Sequence, residues 1–244
     1  MNVLTIIPAR GGSKRLPNKN ILLLGDKPVI SYTIEAALAS ELTNKVVVST
    51  DSTEITTIVK TRHKIDIIKR PKELATDFSP IEDCLKHAVN YYEERKTFYN
   101  IVVWLQADCP IRKEGRIDEV ISKLIENDDL DSVVTVEKTK TRPEWLQIAE
   151  NGQLHSYLPI CKEYRTQDLP NLYSIDGSVL AIRKATLMRD WGDKNFVHSY
   201  LGNKIGFIEQ NSIFSISIDN EFDFDLARMI LNDSICDRRR FQKG

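Results

Sequence analysis

A short segment near the N-terminus concentrates the residues able to do chemistry. Pro8-Ala-Arg10-Gly11-Gly12-Ser13-Lys14-Arg15-Leu16-Pro17-Asn18-Lys19-Asn20 carries four cations, two adjacent glycines and one serine. Glycines let backbone N–H groups approach an anion closely, and successive amides form a concavity that binds phosphate. Arginine and lysine neutralise phosphate charge through charge-assisted hydrogen bonds. The competing reading is a solvated basic loop after an edge strand, yet Gly-Gly directly after a buried strand has few other uses. The loop lacks the G-x-x-x-x-G-K-[ST] spacing of P-loop kinases, and the chain has no G-x-G-x-x-G, which argues against dinucleotide oxidoreductases. His63, His87, His155 and His198 show no metal-ligand spacing, and no G-x-S-x-G announces a hydrolase triad.

Such a loop needs a sheet to hold it. Val3–Ile7 reads as a buried first strand, and Pro28 opens a helix over the apolar positions to Ala37. Lys45–Ser49 and Ile65–Ile68 read as strands. Asp51-Ser-Thr-Glu54 and Ser79-Pro80-Ile-Glu82 have the spacing of capping boxes, the second opening a helix to about Glu94. Ile101–Leu105 is apolar throughout, as expected of a central parallel strand buried on both faces; Trp104 within it is expected in the core. Ile117–Ile125 is helical, and Ser132–Val136, Val179–Ile182 and Ile205–Ile208 read as strands. Asn151-Gly152 marks a hairpin turn, and Asn220–Leu231 a closing helix. Strand-helix alternation followed by a more irregular β-rich stretch predicts an α/β sheet with an inserted or appended subregion.

Composition narrows the class further. The chain has 244 residues, 41% of them hydrophobic, enough to bury a sizeable core. Lysine and arginine number 34 against 35 acidic residues, so the surface as a whole does not call for nucleic acid, and anion affinity must be local. No apolar run approaches the about 20 residues that cross a bilayer, and the N-terminus reads as a strand rather than a signal peptide. Cys84, Cys109, Cys161 and Cys236 are scattered, which predicts reduced cytoplasmic thiols. The tail Arg238–Lys243 reads as a solvated terminus.

The segment Ile6–Ile21 resembles the N-terminal signature of the acylneuraminate cytidylyltransferases, the CMP-sialic acid synthetases and their relatives acting on other nine-carbon keto sugar acids. The resemblance continues through Lys27–Ala37, Val46–Asp51, Arg70–Ala75 and His87-Ala88, and resumes at Gln167–Pro170, Asp176-Gly177 and Ile218–Asp223. It implies one domain over residues 1–244 with a nucleotide-diphospho-sugar transferase (Rossmann-like) three-layer fold. It further implies a homodimer built through a projecting subregion at about 142–204, with CTP as substrate and Mg²⁺ as cofactor. Carried onto this chain, Arg10, Ser13, Lys14 and Lys19 would hold the triphosphate, Gly11, Gly12 and Asn20 would line the pocket, and Arg70 and Ser79 would lie near the base or ribose.

Two departures bear on the metal. Where the sialic acid enzymes usually read Gln-Pro-Thr-Ser-Pro-Leu-Arg, this chain has Gln106-Ala-Asp108-Cys109-Pro110-Ile-Arg112, similar to the Gln-Gly-Asp-Glu-Pro of CMP-Kdo synthetases. Where they usually carry Asp-Ile-Asp, it has Ser217-Ile-Asp219. The resemblance therefore makes Asp108 and Asp219 the expected Mg²⁺ pair, since a hard cation takes carboxylate oxygens. A third departure, Thr166 beside Arg165, shifts the arginine expected to meet the acceptor carboxylate. Gln106, Arg165, Gln167 and Asp176 are the acceptor-side candidates. The expected reaction is transfer of CMP from CTP to the anomeric hydroxyl of a 3-deoxy-2-keto sugar acid. A sugar-1-phosphate nucleotidyltransferase and a non-catalytic nucleotide-binding relative are the alternatives.

Overall fold

The apolar runs alternate between two cores. Val3 and Ile7 of the first strand pack on one face of the sheet, and Leu4 and Ile6 on the other. Val46 and Val48 likewise part from Val47, and Ile101 and Val103 from Val102. Strands with both faces covered read as continuous apolar sequence, which is why the polar alternation of a one-sided sheet is missing. A computed structural model describes residues 1–139, 141–158, 165, 169–191 and 198–236, the side chains of 233–236 excepted. Gln167, Cys161 and the basic tail lie outside the described residues.

In chain order the elements are β1 (Val3–Pro8), a two-stranded ribbon of β2 (Leu23–Leu24) and β3 (Lys27–Pro28), α1 (Val29–Leu38), β4 (Lys45–Thr50), α2 (Thr53–Arg62) and β5 (Asp66–Lys69). There follow α3 (Ile81–Glu93), β6 (Ile101–Trp104), α4 (Arg116–Glu126) and β7 (Ser132–Lys138). The hairpin β8 (Gln147–Glu150) and β9 (Gln153–Ser156) precedes β10 (Tyr173–Arg183), α5 (Lys184–Met188), β11 (Ile205–Gln210) and α6 (Glu221–Cys236). The main sheet has seven strands in the order β11-β7-β10-β6-β1-β4-β5. All neighbours run parallel except β10, which is antiparallel to both β6 and β7. Helices α1, α2 and α4 contribute to one core and α3 and α5 to the other, completing three layers.

Three readings of local structure are corrected. The α2 cap is Ser52, whose Oγ accepts from Ile55 N at 3.2 Å, while the Asp51 carboxylate accepts instead from the Gly11 amide at 3.1 Å. Ser79 does not cap α3: its hydroxyl donates to the Glu73 carbonyl at 2.8 Å, and the helix starts at Ile81 behind Pro80. Trp104 is half-buried at the wall of a cavity rather than wholly in the core. The hairpin forms as expected, with Asn151 and Gly152 at φ 51° and 76°, the left-handed pair that a type I′ turn requires.

Candidate active site

β1 and β6 are parallel neighbours, and both deliver their C-terminal loops to the same side of the sheet. A cavity of ≈ 580 Å³ opens there, lined by Arg10, Ser13, Lys14, Lys19 and Asn20 from the first loop and by Gln106 and Asp108 from the second. Arg70, Ser79 and Asp219 complete that part of the wall. Ligands of open α/β sheets bind at this edge.

A third, smaller core explains how distant residues converge. Leu16 packs with Ile111, Ile218 and Ala227. Each of the first three lies within three residues of a site side chain, and Ile218 N donates to the Asp108 carbonyl at 2.9 Å. Burying these apolar groups fixes the basic loop, the Asp108 loop and the start of α6 together. Asn20 Nδ2 reaches the Arg10 carbonyl at 3.4 Å and closes the loop on itself. Gly11 is needed for close approach, because a Cβ there would lie 2.9 Å from Ser52 Cβ, whereas Gly12 faces open space.

Lys19 is the centre of charge. Its ammonium pairs with Asp108 Oδ2 and lies 2.9 Å from Asp219 Oδ1. Arg15 approaches the other oxygen of Asp219 at 3.2 Å. Burial pulls the Lys19 pKa down, but Asp108 and Asp219 outweigh it and the net shift is upward, so the side chain remains cationic. Asp108 Oδ1 is buried without a hydrogen-bond partner. Asp219 is left available because Asn220 and Asp223 cap α6 reciprocally: Asp223 N donates to Asn220 Oδ1 at 3.0 Å, and Asn220 N donates back at 3.2 Å.

A second charged group stands at the mouth. Arg10 Nη1 and Lys14 Nζ each lie 2.6 Å from one oxygen of Asp77. Hydrogen bonds from Lys14 and Arg10 hold this carboxyl below the usual carboxylate range. Arg70 is buried and donates to the Ser49 carbonyl at 2.5 Å, leaving its buried Nε unpartnered beside the cavity.

The acceptor-side candidates separate. Gln106 lines the cavity, and its Nε2 donates to Ser217 Oγ at 2.8 Å. Asp176 accepts from Thr135 Oγ1 at 2.5 Å, Ser178 N at 2.9 Å, Gln210 Nε2 at 2.7 Å and Ser215 Oγ at 2.8 Å. Both of its oxygens are thus engaged in joining β7, β10, β11 and the segment after it, away from the cavity wall. Arg165 is exposed and is not among the described residues of that wall.

Four residues of the site carry no sequence signal of their own role. Arg15 and Asp77 act through contacts hundreds or tens of positions away in sequence. Arg112 is buried and donates to the carbonyls of Gln106 at 2.7 Å and Cys109 at 2.6 Å and to Thr33 Oγ1 at 2.7 Å, stitching the Asp108 loop to α1. Gly177, at φ +71°, faces Gln106 Oε1 so closely that a Cβ would collide with it.

A family model described as "Cytidylyltransferase" matches residues 4–196. The chain is 33% identical over 227 residues to an N-acylneuraminate cytidylyltransferase of Streptococcus agalactiae, covering 92% of this chain and 52% of that protein. It therefore spans about half the length of such relatives. It is 30% identical over 239 residues to a CMP-N,N'-diacetyllegionaminic acid synthase of Legionella pneumophila, covering 95% and 97% of the two chains. Among solved structures, a CMP:2-keto-3-deoxy-manno-octonic acid synthetase complexed with CTP superposes with a TM-score of 0.70 at 18% identity, covering 96% of this chain and all of that one. The two share a mixed α/β, Rossmann-like fold. The chain belongs to the cytidylyltransferase family.

Proposed function

We propose that this chain transfers CMP from CTP to the anomeric hydroxyl of a 3-deoxy-2-keto sugar acid and releases pyrophosphate. The observation that carries this reading is the meeting of the basic loop and two carboxylates at one strand-end cavity in a cytidylyltransferase. The names of the relatives, which act on N-acylneuraminic and diacetyllegionaminic acids, supply the acceptor class.

In this reading Arg10 and Lys14 hold the phosphates that leave, Ser13 and the loop amides add neutral donors, and Lys19 sits where charge gathers. Such donors act most strongly when fixed in place before the reaction. Arg70 and Ser79 face the nucleoside end. Gln106, oriented by Ser217 and Gly177, meets the sugar acid, while Asp176 supports that wall from behind. Arg165 and Gln167, the latter outside the described residues, remain acceptor candidates.

The residues suit Mg²⁺. Asp108 offers a buried oxygen with no partner, and Asp219 lies on the same lysine, so the two carboxylates would hold the ion and share it with phosphate oxygens. When bound, it would neutralise charge on the α-phosphoryl group. Lys19 holds the two carboxylates together.

We further assign the protein to a homodimer formed through residues of about 142–204. The β8–β9 hairpin exposes Ile148 at 40% and Leu154 at 70%, on opposite faces, with Tyr157 exposed beside it. Buried free thiols at Cys84 and Cys109 suit the cytoplasm. No helix among the described residues is long and apolar enough to cross a membrane.

The test is an acceptor panel with labelled CTP and UTP. CMP-sugar formed from CTP and a keto sugar acid is expected. Transfer only to a sugar 1-phosphate, or no transfer, overturns the reading.

A further inference from the structure

Asp77 is an acid in a place built for anions. It bridges Arg10 and Lys14, one oxygen to each at 2.6 Å, and all three side chains line the cavity. The turn that presents it is held by its own hydroxyls. Ser79 Oγ and Thr76 Oγ1 lie 2.7 Å apart, Thr76 N donates to Ser79 Oγ at 3.1 Å, and Phe78 N donates to Thr76 Oγ1 at 3.3 Å. Phe78, at the tip, is 94% exposed. The turn thus has little apolar surface anchoring it, and moving it uncovers almost nothing.

We propose that Asp77 is a built-in occupant of the phosphate subsite, a displaceable carboxylate that holds Arg10 and Lys14 until a polyphosphate replaces it. The inference rests on the reading of the basic loop as a triphosphate site. The two cation contacts differ from those of Lys19 in one decisive way. Lys19 and Asp108 are largely buried, at 17% and 7% side-chain exposure, whereas Lys14 is 79% exposed. An exposed pair is weak and screened, so it yields to a stronger anion; a buried one does not. A polyphosphate brings several charges and can take both cations at once. A single phosphate brings at most two charges and must still release the carboxylate. The cost of releasing Asp77 is common to both ligands and only the polyphosphate carries enough charge to offset it fully, while Asp77 keeps the two cations close to their working positions. It is a positioning residue and need not touch the reacting atoms.

The experiment uses the full chain with tripolyphosphate, inorganic phosphate and CTP as probes, in wild type, Asp77→Asn and the surface control Glu126→Gln. Calorimetry should find tripolyphosphate bound about three- to tenfold tighter by Asp77→Asn, as expected for losing two exposed competing contacts. Inorganic phosphate should gain by no more than the same factor, since it meets the same displaced carboxylate or only part of it. Glu126→Gln should match wild type. Hydrogen exchange supplies a readout that a general charge effect does not move: saturating tripolyphosphate should speed exchange of amides 76–79 in wild type while protecting the basic loop. Unchanged or weaker binding by Asp77→Asn, or protection of amides 76–79 by tripolyphosphate, overturns the displacement. Failure of wild type to bind CTP overturns the triphosphate site and this inference with it. CTP binding that is intact yet indifferent to Asp77 overturns this inference alone.

Discussion

Lys19 and the two carboxylates it joins pose the sharpest question at the residue scale. Asp108 is buried with one oxygen unpartnered, and Ser217 stands where the family resemblance leads one to expect a second acid. Ser217 is instead the acceptor for the Gln106 amide. The two residues should therefore fail differently. Asp108→Asn keeps shape and removes charge, so Mg²⁺-dependent turnover should fall by about a hundredfold or more, in the range of lost preorganised electrostatics. Ser217→Ala should retain most of kcat and raise KM for the sugar acid by loosening Gln106. Metal titrations of turnover for both variants check this; equal damage from the two would show that Ser217 serves the metal. Gly177→Ala probes the same wall. Its φ of +71° and the contact with Gln106 should make the variant less stable by about 1–3 kcal/mol, read by denaturant melts, with the KM effect of Ser217→Ala in addition.

At the scale of elements, the basic loop was readable because its chemistry is local: glycines, cations and a preceding strand sit side by side in sequence. Asp108 and Asp219 came into view through the family resemblance, carried by Gln106–Arg112 and Ile218–Asp223, rather than through any local pattern. Asp77, Arg112 and the spreading of Asp176 over three strands were not readable, because the contacts Asp77–Arg10, Arg112–Thr33 and Asp176–Gln210 span 34 to 79 positions and no period encodes them. The antiparallel β10 was missed as well, since burial on both faces makes its apolar core look like any parallel strand. Its first three residues, Tyr173, Ser174 and Ile175, are exposed, and hydrogen bonding to β7 rather than a buried apolar run extends it back to Tyr173. Helix α2 carries a separate pH signature. Burial of the imidazole lowers the pKa of His63, at the end of α2, below its ordinary value of 6.5, and burial does the same to His87 on α3. The unfolded chain binds these protons more readily, so the stability each neutral ring contributes is full above about pH 6.5 and is lost as pH falls through the folded-state pKa. Thermal melts should shift down between about pH 7 and pH 5, and His63→Gln should flatten that slope. A slope unchanged in the variant would place the proton uptake elsewhere.

At the scale of the whole molecule, the sheet does two jobs at opposite ends of the sequence. Its N-terminal half gathers the cavity, and its C-terminal half carries the hairpin whose apolar side chains point away from both cores. If that hairpin is the contact between protomers, Leu154→Asp should convert a dimer to a monomer, seen by light scattering at micromolar concentration, while α/β content by circular dichroism is unchanged. A wild-type monomer would exclude this assembly. Every role assigned to the cavity depends on the loop after β1 cradling the nucleotide's phosphates. Steady-state pyrophosphate release by Lys14→Ala tests it most directly, because Lys14 is exposed and its removal leaves the cores intact. Losing one charge-assisted contact should cut kcat/KM for CTP by about tenfold or more, with a native circular dichroism spectrum. Near-normal turnover by the folded variant would contradict the phosphate cradle.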